Sequence, residues 1–133
     1  MTVTSRVLRQ ALLPLLACAS APAWSQSPDP CKTQSNTIEI NACAKQEFDA
    51  QDRSLNIAYQ KVLGQIRTES TQSTTQKLVA AQRLWVQFRD ADCMARESLF
   101  EGGTVHTVVY LQCLRDHTVQ RIKDLDTQSW HGG

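Results

Sequence analysis

Cys93 and Cys113 stand equally far from residue 103, and residue 103 belongs to Gly102-Gly103, the one Gly-Gly pair that interrupts helical sequence. No other feature limits the fold as strongly. A chain that reverses at this pair as an antiparallel helical hairpin lays residues equidistant from the turn side by side, so Cys93 faces Cys113. A disulfide-stapled hairpin is therefore the expected architecture of the stretch from Trp85 to Cys113. The rest of the chain has to be arranged around it.

The chain of 133 residues has room for one small domain, and its first segment lies outside that domain. Met1 to Gln10 carries Arg6 and Arg9 without an acidic residue, and Ala11 to Ala23 is apolar. A basic start, a short apolar run and small residues at the exit describe an export signal over residues 1–25. The apolar run falls short of the roughly 20 residues a membrane span needs. Two exits compete: cleavage after Ala23 or Ser25, or lipidation of Cys18 within Leu15-Leu16-Ala17-Cys18, which is similar to a bacterial lipobox. Both remove Cys18 from the disulfide count and leave Cys31, Cys43, Cys93 and Cys113, an even set that reads as two disulfides in an exported chain. Four cysteines allow three pairings. Hairpin symmetry favours Cys93–Cys113, which leaves Cys31–Cys43 to tie the start of the domain onto its first helix.

All four prolines lie at or before Pro30, so residues 26–30 read as a linker and nothing later breaks a helix rigidly. Ser35 or Asn36 suits a helix N-cap, with Glu39 placed as in a capping box. Ile40, Ala44, Phe48, Leu55, Ala58, Tyr59, Val62 and Ile66 then recur on one helical face, with Asp49, Asp52, Arg53 and Lys61 expected largely elsewhere. The polar run Thr68–Thr75 reads as a connection, and a second helix is expected from about Thr74–Gln76. Its inward seam is read as Leu78, Ala81, Trp85, Phe88, Asp92, Ala95 and Leu99, ending at Gly102-Gly103. A third helix is expected from about Thr104 to Leu125, with Val108, Leu111, Val119, Ile122 and Leu125 inward. No alternating strand pattern appears. The fold class predicted is all-α: a bundle of three main helices over residues 31–126, followed by a frayed tail at 127–133. A core this small gains from a crosslink, and closing a loop of about 20 residues contributes roughly 3 kcal/mol in the chain-entropy account.

Charge and motif chemistry exclude several functions. Loss of Arg6 and Arg9 leaves 12 basic against 13 acidic side chains, which gives no support for nucleic-acid binding. Neither a haem-attachment signature nor a phosphate-cradling glycine loop is present, and no cofactor is expected. Cys113 and His117 are one turn apart with Cys93 opposite, a metal-ligand pattern, but export to an oxidising compartment favours disulfides. His106 and His117, about three turns apart, cannot share an ion. A Cys/His nucleophile needs a free thiol. Asp90 and Asp92 beside Arg89 could serve acid–base chemistry; the simpler reading pairs Arg89 with Asp92 or an opposite carbonyl and leaves Asp90 in water.

The run Glu39-Ile40-Asn41-Ala42-Cys43, then Leu55-Asn56 and Tyr59, then Ala81-Gln82, Trp85, Phe88-Arg89-Asp90 and Cys93 resembles the lysozyme-inhibitor LprI-like family, earlier known as the DUF1311 domain. The likeness continues through Glu101-Gly102-Gly103, Tyr110 and Cys113 and spans Cys31 to Leu125. It implies a small exported helical domain, periplasmic, secreted or lipid-anchored, without catalytic activity. It also implies a protein partner, a lysozyme-type glycoside hydrolase, whose cleft the domain would occlude. The alternative is an envelope or stress-tolerance module that binds another protein or a glycan. Glu39, Asn41, Trp85, Phe88, Arg89 and Asp90 are expected to be architectural. The turn Glu101, Gly102, Gly103, Thr104 and His106 is the expected partner-binding element, because a loop held at its base loses less entropy on binding.

Overall fold

The computed structural model describes residues 31–126 and Trp130. The expected export signal over residues 1–25, the expected linker at 26–30 and the expected tail at 127–133, Trp130 apart, lie outside the described residues. Three helices account for the fold: α1 over Thr37–Glu69, α2 over Gln72–Ser98 and α3 over His106–Asp124. No strand occurs among the described residues.

The start of α1 follows the sequence. Asn36 is the N-cap, and its Oδ1 accepts the Glu39 backbone N–H at 3.0 Å. Glu39 reaches back to Ser35, whose backbone N–H and hydroxyl donate to Oε2 at 3.2 and 3.0 Å. Those bonds hold the Glu39 carboxyl below its ordinary range. Cys31–Cys43 closes over this first turn with Cα atoms 5.7 Å apart.

The connection between α1 and α2 is shorter than predicted. Helix α1 runs through Glu69, Thr71 caps α2, and most of the polar run Thr68–Thr75 is helical. Hydroxyls make this possible by bonding within the helices. Thr68 donates to the Gln65 carbonyl at 2.8 Å, and the Thr71 hydroxyl accepts the Thr74 N–H at 3.2 Å. At the other end, α2 stops at Ser98, before the glycines, and α3 starts at His106 rather than Thr104. Residues 99–105 form the reversal, and Gly102 adopts φ +78°, which a side chain disfavours.

Helix α1 packs chiefly along α3, and α3 packs on α2. Leu55, Val62, Leu63 and Ile66 of α1 meet Leu78 of α2 and Leu125, with Tyr59, Trp85 and Ile122 closing the edges. Each such side chain contributes about 1.5–3 kcal/mol of transfer free energy when fully buried. Nearer the hairpin turn, Cys93, Cys113 and Leu114 form a second cluster with Phe48 and Tyr110. The disulfide sulfurs thus act as core atoms as well as a crosslink, with the Cα atoms 5.5 Å apart.

The inward face of α2 is rotated from the predicted seam. Leu78, Arg89 and Cys93 are buried, with Gln82 and Trp85 half-buried between them, whereas Ala81, Phe88, Ala95 and Leu99 are exposed. The stripe steps 78, 82, 85, 89, 93, so Arg89 takes the place assigned to Phe88. On α3 the fully buried positions are Cys113, Leu114 and Thr118; Val108, Leu111, Val119 and Ile122 are half-buried flanks.

Candidate functional site

Between the two apolar clusters each helix contributes one polar residue, at the position where its stripe would otherwise continue. Asp52 falls between Phe48 and Leu55, Arg89 between Trp85 and Cys93, and Thr118 between Leu114 and Ile122. Arg89 Nη1 donates to Asp52 Oδ1 at 3.1 Å and to Thr118 Oγ1 at 3.2 Å, so one guanidinium nitrogen ties all three helices. Nε donates to Asp90 Oδ1 at 2.9 Å. The guanidinium carbon lies over the Phe48 and Trp85 rings at 5.4 and 5.3 Å, and Arg121 stacks on the same Trp85 at 5.7 Å. A planar fork between aromatic faces suits arginine and not lysine.

Two expectations are corrected here. Arg89 pairs with Asp90 and Asp52, not with Asp92 or a carbonyl, so Asp90 is an ion-pair partner rather than a solvated bystander. Asp52 belongs to the inward stripe of α1, contrary to its assignment to the polar face. Thr118 is the missed member: its hydroxyl, 0% exposed, donates to the Leu114 carbonyl at 2.7 Å while accepting from Arg89. The signal for this layer was present, since a polar residue interrupts each apolar stripe at a matching height.

Of the remaining architectural candidates, Glu39 caps α1, and Trp85 packs against the larger cluster. Asn41 is half-buried, with its Oδ1 atom buried and without a hydrogen-bond partner. Phe88 stands on the surface, edge-on to His117 with ring centres 5.6 Å apart. His117 Nε2 and Asp92 Oδ2 are 2.8 Å apart, and Arg96 Nε donates to the same carboxylate oxygen at 3.1 Å. The bond to His117 first, then the charge of Arg96, holds the Asp92 carboxyl below its usual range against the opposing effect of burial. An imidazole–carboxylate pair can shuttle a proton, but the sulfurs beside it are joined to each other, and a thiol nucleophile is absent from this pair's surroundings.

Glu101, Gly102, Gly103, Thr104 and His106 are all exposed and form the hairpin tip. The tip is held from two sides. Cys93–Cys113 closes its base, and His106 Nδ1 lies 2.9 Å from Glu97 Oε1, linking the first residue of α3 to the last turn of α2. A Cβ on Gly103 would stand 3.1 Å from the Phe100 carbonyl, so the turn is tight there, while Gly102 has open space and is constrained by its φ alone. The polar reading of the tip missed its apolar rim: Leu99 is 79% exposed, Met94 54%, Val105 47% and Phe100 42%. Leu99 had been assigned to the seam. Leu99 keeps helical backbone angles as the C-cap of α2, but its side chain faces solvent.

These features define a small all-α domain in which two disulfides and a buried polar layer hold a helical hairpin with an exposed tip. The family profile described as Lysozyme inhibitor LprI matches residues 29–125, and the chain belongs to that family. Its fold is similar to the crystal structure of a DUF1311 family protein from Pseudomonas putida KT2440. The TM-score is 0.64 at 22% identity, covering 77% of this chain and 99% of that one. An uncharacterized protein of Rhizobium meliloti (strain 1021) is 29% identical over 123 residues, which is 85% of this chain and 88% of the relative.

Proposed function

We propose that the chain is an exported, non-enzymatic inhibitor of lysozyme-type muramidases, and that the hairpin tip enters and occludes the substrate cleft. The observation that carries this reading is the tip itself. It projects Leu99, Phe100 and Val105 around a glycine turn that is fixed by the Cys93–Cys113 disulfide and the His106–Glu97 pair. Exposed aromatic and aliphatic groups on a preorganised loop are the anchors that carry binding energy when they fill a pocket. Membership of the lysozyme inhibitor family supports the choice of target. Export is supported by the basic and apolar start of the sequence and by the two disulfides. No helix among the described residues is long and apolar enough to cross a membrane, and lipidation of Cys18 would attach the chain to one.

Lysis of a cell-wall suspension by lysozyme, followed with and without the purified protein, tests the reading. Lysis slows in proportion to added protein, and Leu99→Ser with Phe100→Ser weakens inhibition by about tenfold or more. Unaltered lysis at micromolar excess removes the inhibitor reading. One observation favours a second reading, in which the tip serves a different envelope protein or a glycan. After loss of Arg6 and Arg9 the chain is near neutral and offers no strong charge complement to a basic lysozyme. Fatty-acid labelling of cells that express the chain decides between lipidation at Cys18 and simple cleavage.

A further inference from the structure

The corner where α2 and α3 meet holds more than a crosslink. Asp92 and Cys93 from α2, with Cys113 and His117 from α3, bring two sulfurs, an imidazole nitrogen and a carboxylate oxygen within 4.8 Å of one another. Cys113 and His117 are four residues apart, so they face α2 from successive turns of one helix. Both cysteines are buried, while the side chains of His117 and Asp92 keep 23% and 31% of their exposure, which leaves an approach from solvent. His117 is already oriented by its bond to Asp92 and by the edge contact with Phe88.

We propose that reduction of Cys93–Cys113 converts this corner into a tetrahedral site for one divalent cation of the zinc class, with Cys93, Cys113, His117 and Asp92 as ligands. Zinc bonds of about 2.0–2.3 Å require donor atoms roughly 3.3–3.8 Å apart, within the spread these four side chains already show. The two sulfurs must separate and the His117–Asp92 pair must open from 2.8 Å, and rotation of these side chains about their Cα–Cβ bonds moves the donor atoms without moving the helices. Two thiolates, an imidazole and one carboxylate select a borderline-soft ion over calcium or magnesium. The chemistry balances with a dithiol as reductant. Its thiolate attacks one sulfur, its second thiol resolves the mixed disulfide, and it leaves as a cyclic disulfide. Its two electrons and two protons remain on Cys93 and Cys113 as thiols. Binding of the ion then expels both thiol protons. The ion would bridge the same two helices as the disulfide, so the base of the tip keeps a clasp after reduction.

The test uses the full chain, reduced with a phosphine under argon and titrated with Co²⁺, followed by displacement with Zn²⁺. The expected result is one Co²⁺ per chain, with thiolate-to-metal charge transfer and the intense visible bands of four-coordinate cobalt. Oxidised protein and a Cys93→Ser, Cys113→Ser double variant lack these bands. His117→Ala and Asp92→Asn each bind at least about tenfold more weakly while far-UV dichroism stays helical. Cys31→Ser with Cys43→Ser leaves the bands intact, which separates this corner from the other disulfide. If helix is lost on reduction, its recovery with Zn²⁺ supports the site, and failure to recover overturns it. No charge transfer in the reduced chain, bands that survive loss of Cys93 and Cys113, or wild-type affinity in either His117→Ala or Asp92→Asn also overturns it.

Discussion

Replacing Arg89 is the sharpest probe of what holds the bundle together. In Arg89→Ala the two aromatic contacts, at 5.4 and 5.3 Å, disappear; at about 0.5–2 kcal/mol each they form the larger share of the loss. Asp52 and Asp90 are each 40% exposed, so water replaces the guanidinium there and each lost ion pair is held to about 0.5 kcal/mol. Thr118 is fully buried and keeps its bond to the Leu114 carbonyl, but the oxygen loses its donor, about 1 kcal/mol more. The expected destabilisation is about 3–6 kcal/mol, a large part of the stability of a domain this size. Arg89→Lys keeps the charge and the stem but cannot reach Asp90, Asp52 and Thr118 together, and is expected to cost about 1–2 kcal/mol. Urea unfolding of the oxidised protein, followed by far-UV dichroism, measures both. A value for Arg89→Ala within about 0.5 kcal/mol of wild type, or equal losses for Ala and Lys, refutes the three-helix role of the guanidinium.

Other substitutions test other parts of the fold. Serines at Cys93 and Cys113 open a crosslink of sequence separation 20 and should lower stability by about 3 kcal/mol in urea with helix content retained. Gly64 is exposed within α1 and a Cβ there meets nothing within 4 Å, so Gly64→Ala should raise stability by about 1 kcal/mol. Gly102→Ala should do the reverse by a similar amount, because φ is +78° there, and thermal melts of the pair give the signs. Ser35 and Asn36 hold the Glu39 carboxyl below its ordinary value of 4.5, so its contribution is complete above that pH and lost as pH falls through the depressed folded value. The stability difference between wild type and Glu39→Gln should therefore shrink on acidification below about pH 4.5, and a difference that grows there contradicts the cap.

Local chemistry was the legible part of this fold. The cap at Asn36 and the reversal around Gly102 follow from short-range rules, and the pairing of the four cysteines needs only the symmetry of a hairpin about that reversal. The phase of α2 did not follow, because Arg89 counts as polar in any hydropathy pattern although a stacked, hydrogen-bonded guanidinium is buried here. Asp52 and Thr118 were misread or missed for the same reason, since their partners lie on other helices. The His117–Asp92 bond required the register of α2 against α3, which the cysteine pair fixes only to within a turn. Composition misled at Thr68–Thr75, where hydroxyls bond to the helix backbone, and at the tip, whose apolar rim is hidden between polar and glycine residues.

The partnership of α1 with α3 rather than with its sequence neighbour α2 bears on the order of assembly. Phe48 and Leu114, which belong to one cluster, are separated by the whole of α2 and the reversal. Docking of α1 on α3 closes a long segment of chain and carries a loop-closure cost that grows with its length. The Cys93–Cys113 bond provides a covalent short cut, because a path through the sulfurs bypasses the 20 residues of separation between the cysteines. Oxidation therefore does more than restrain the unfolded chain. Where the bond forms before α1 docks, a three-body assembly becomes the docking of one long helix on a joined pair, and the stapled hairpin is then the template on which α1 folds.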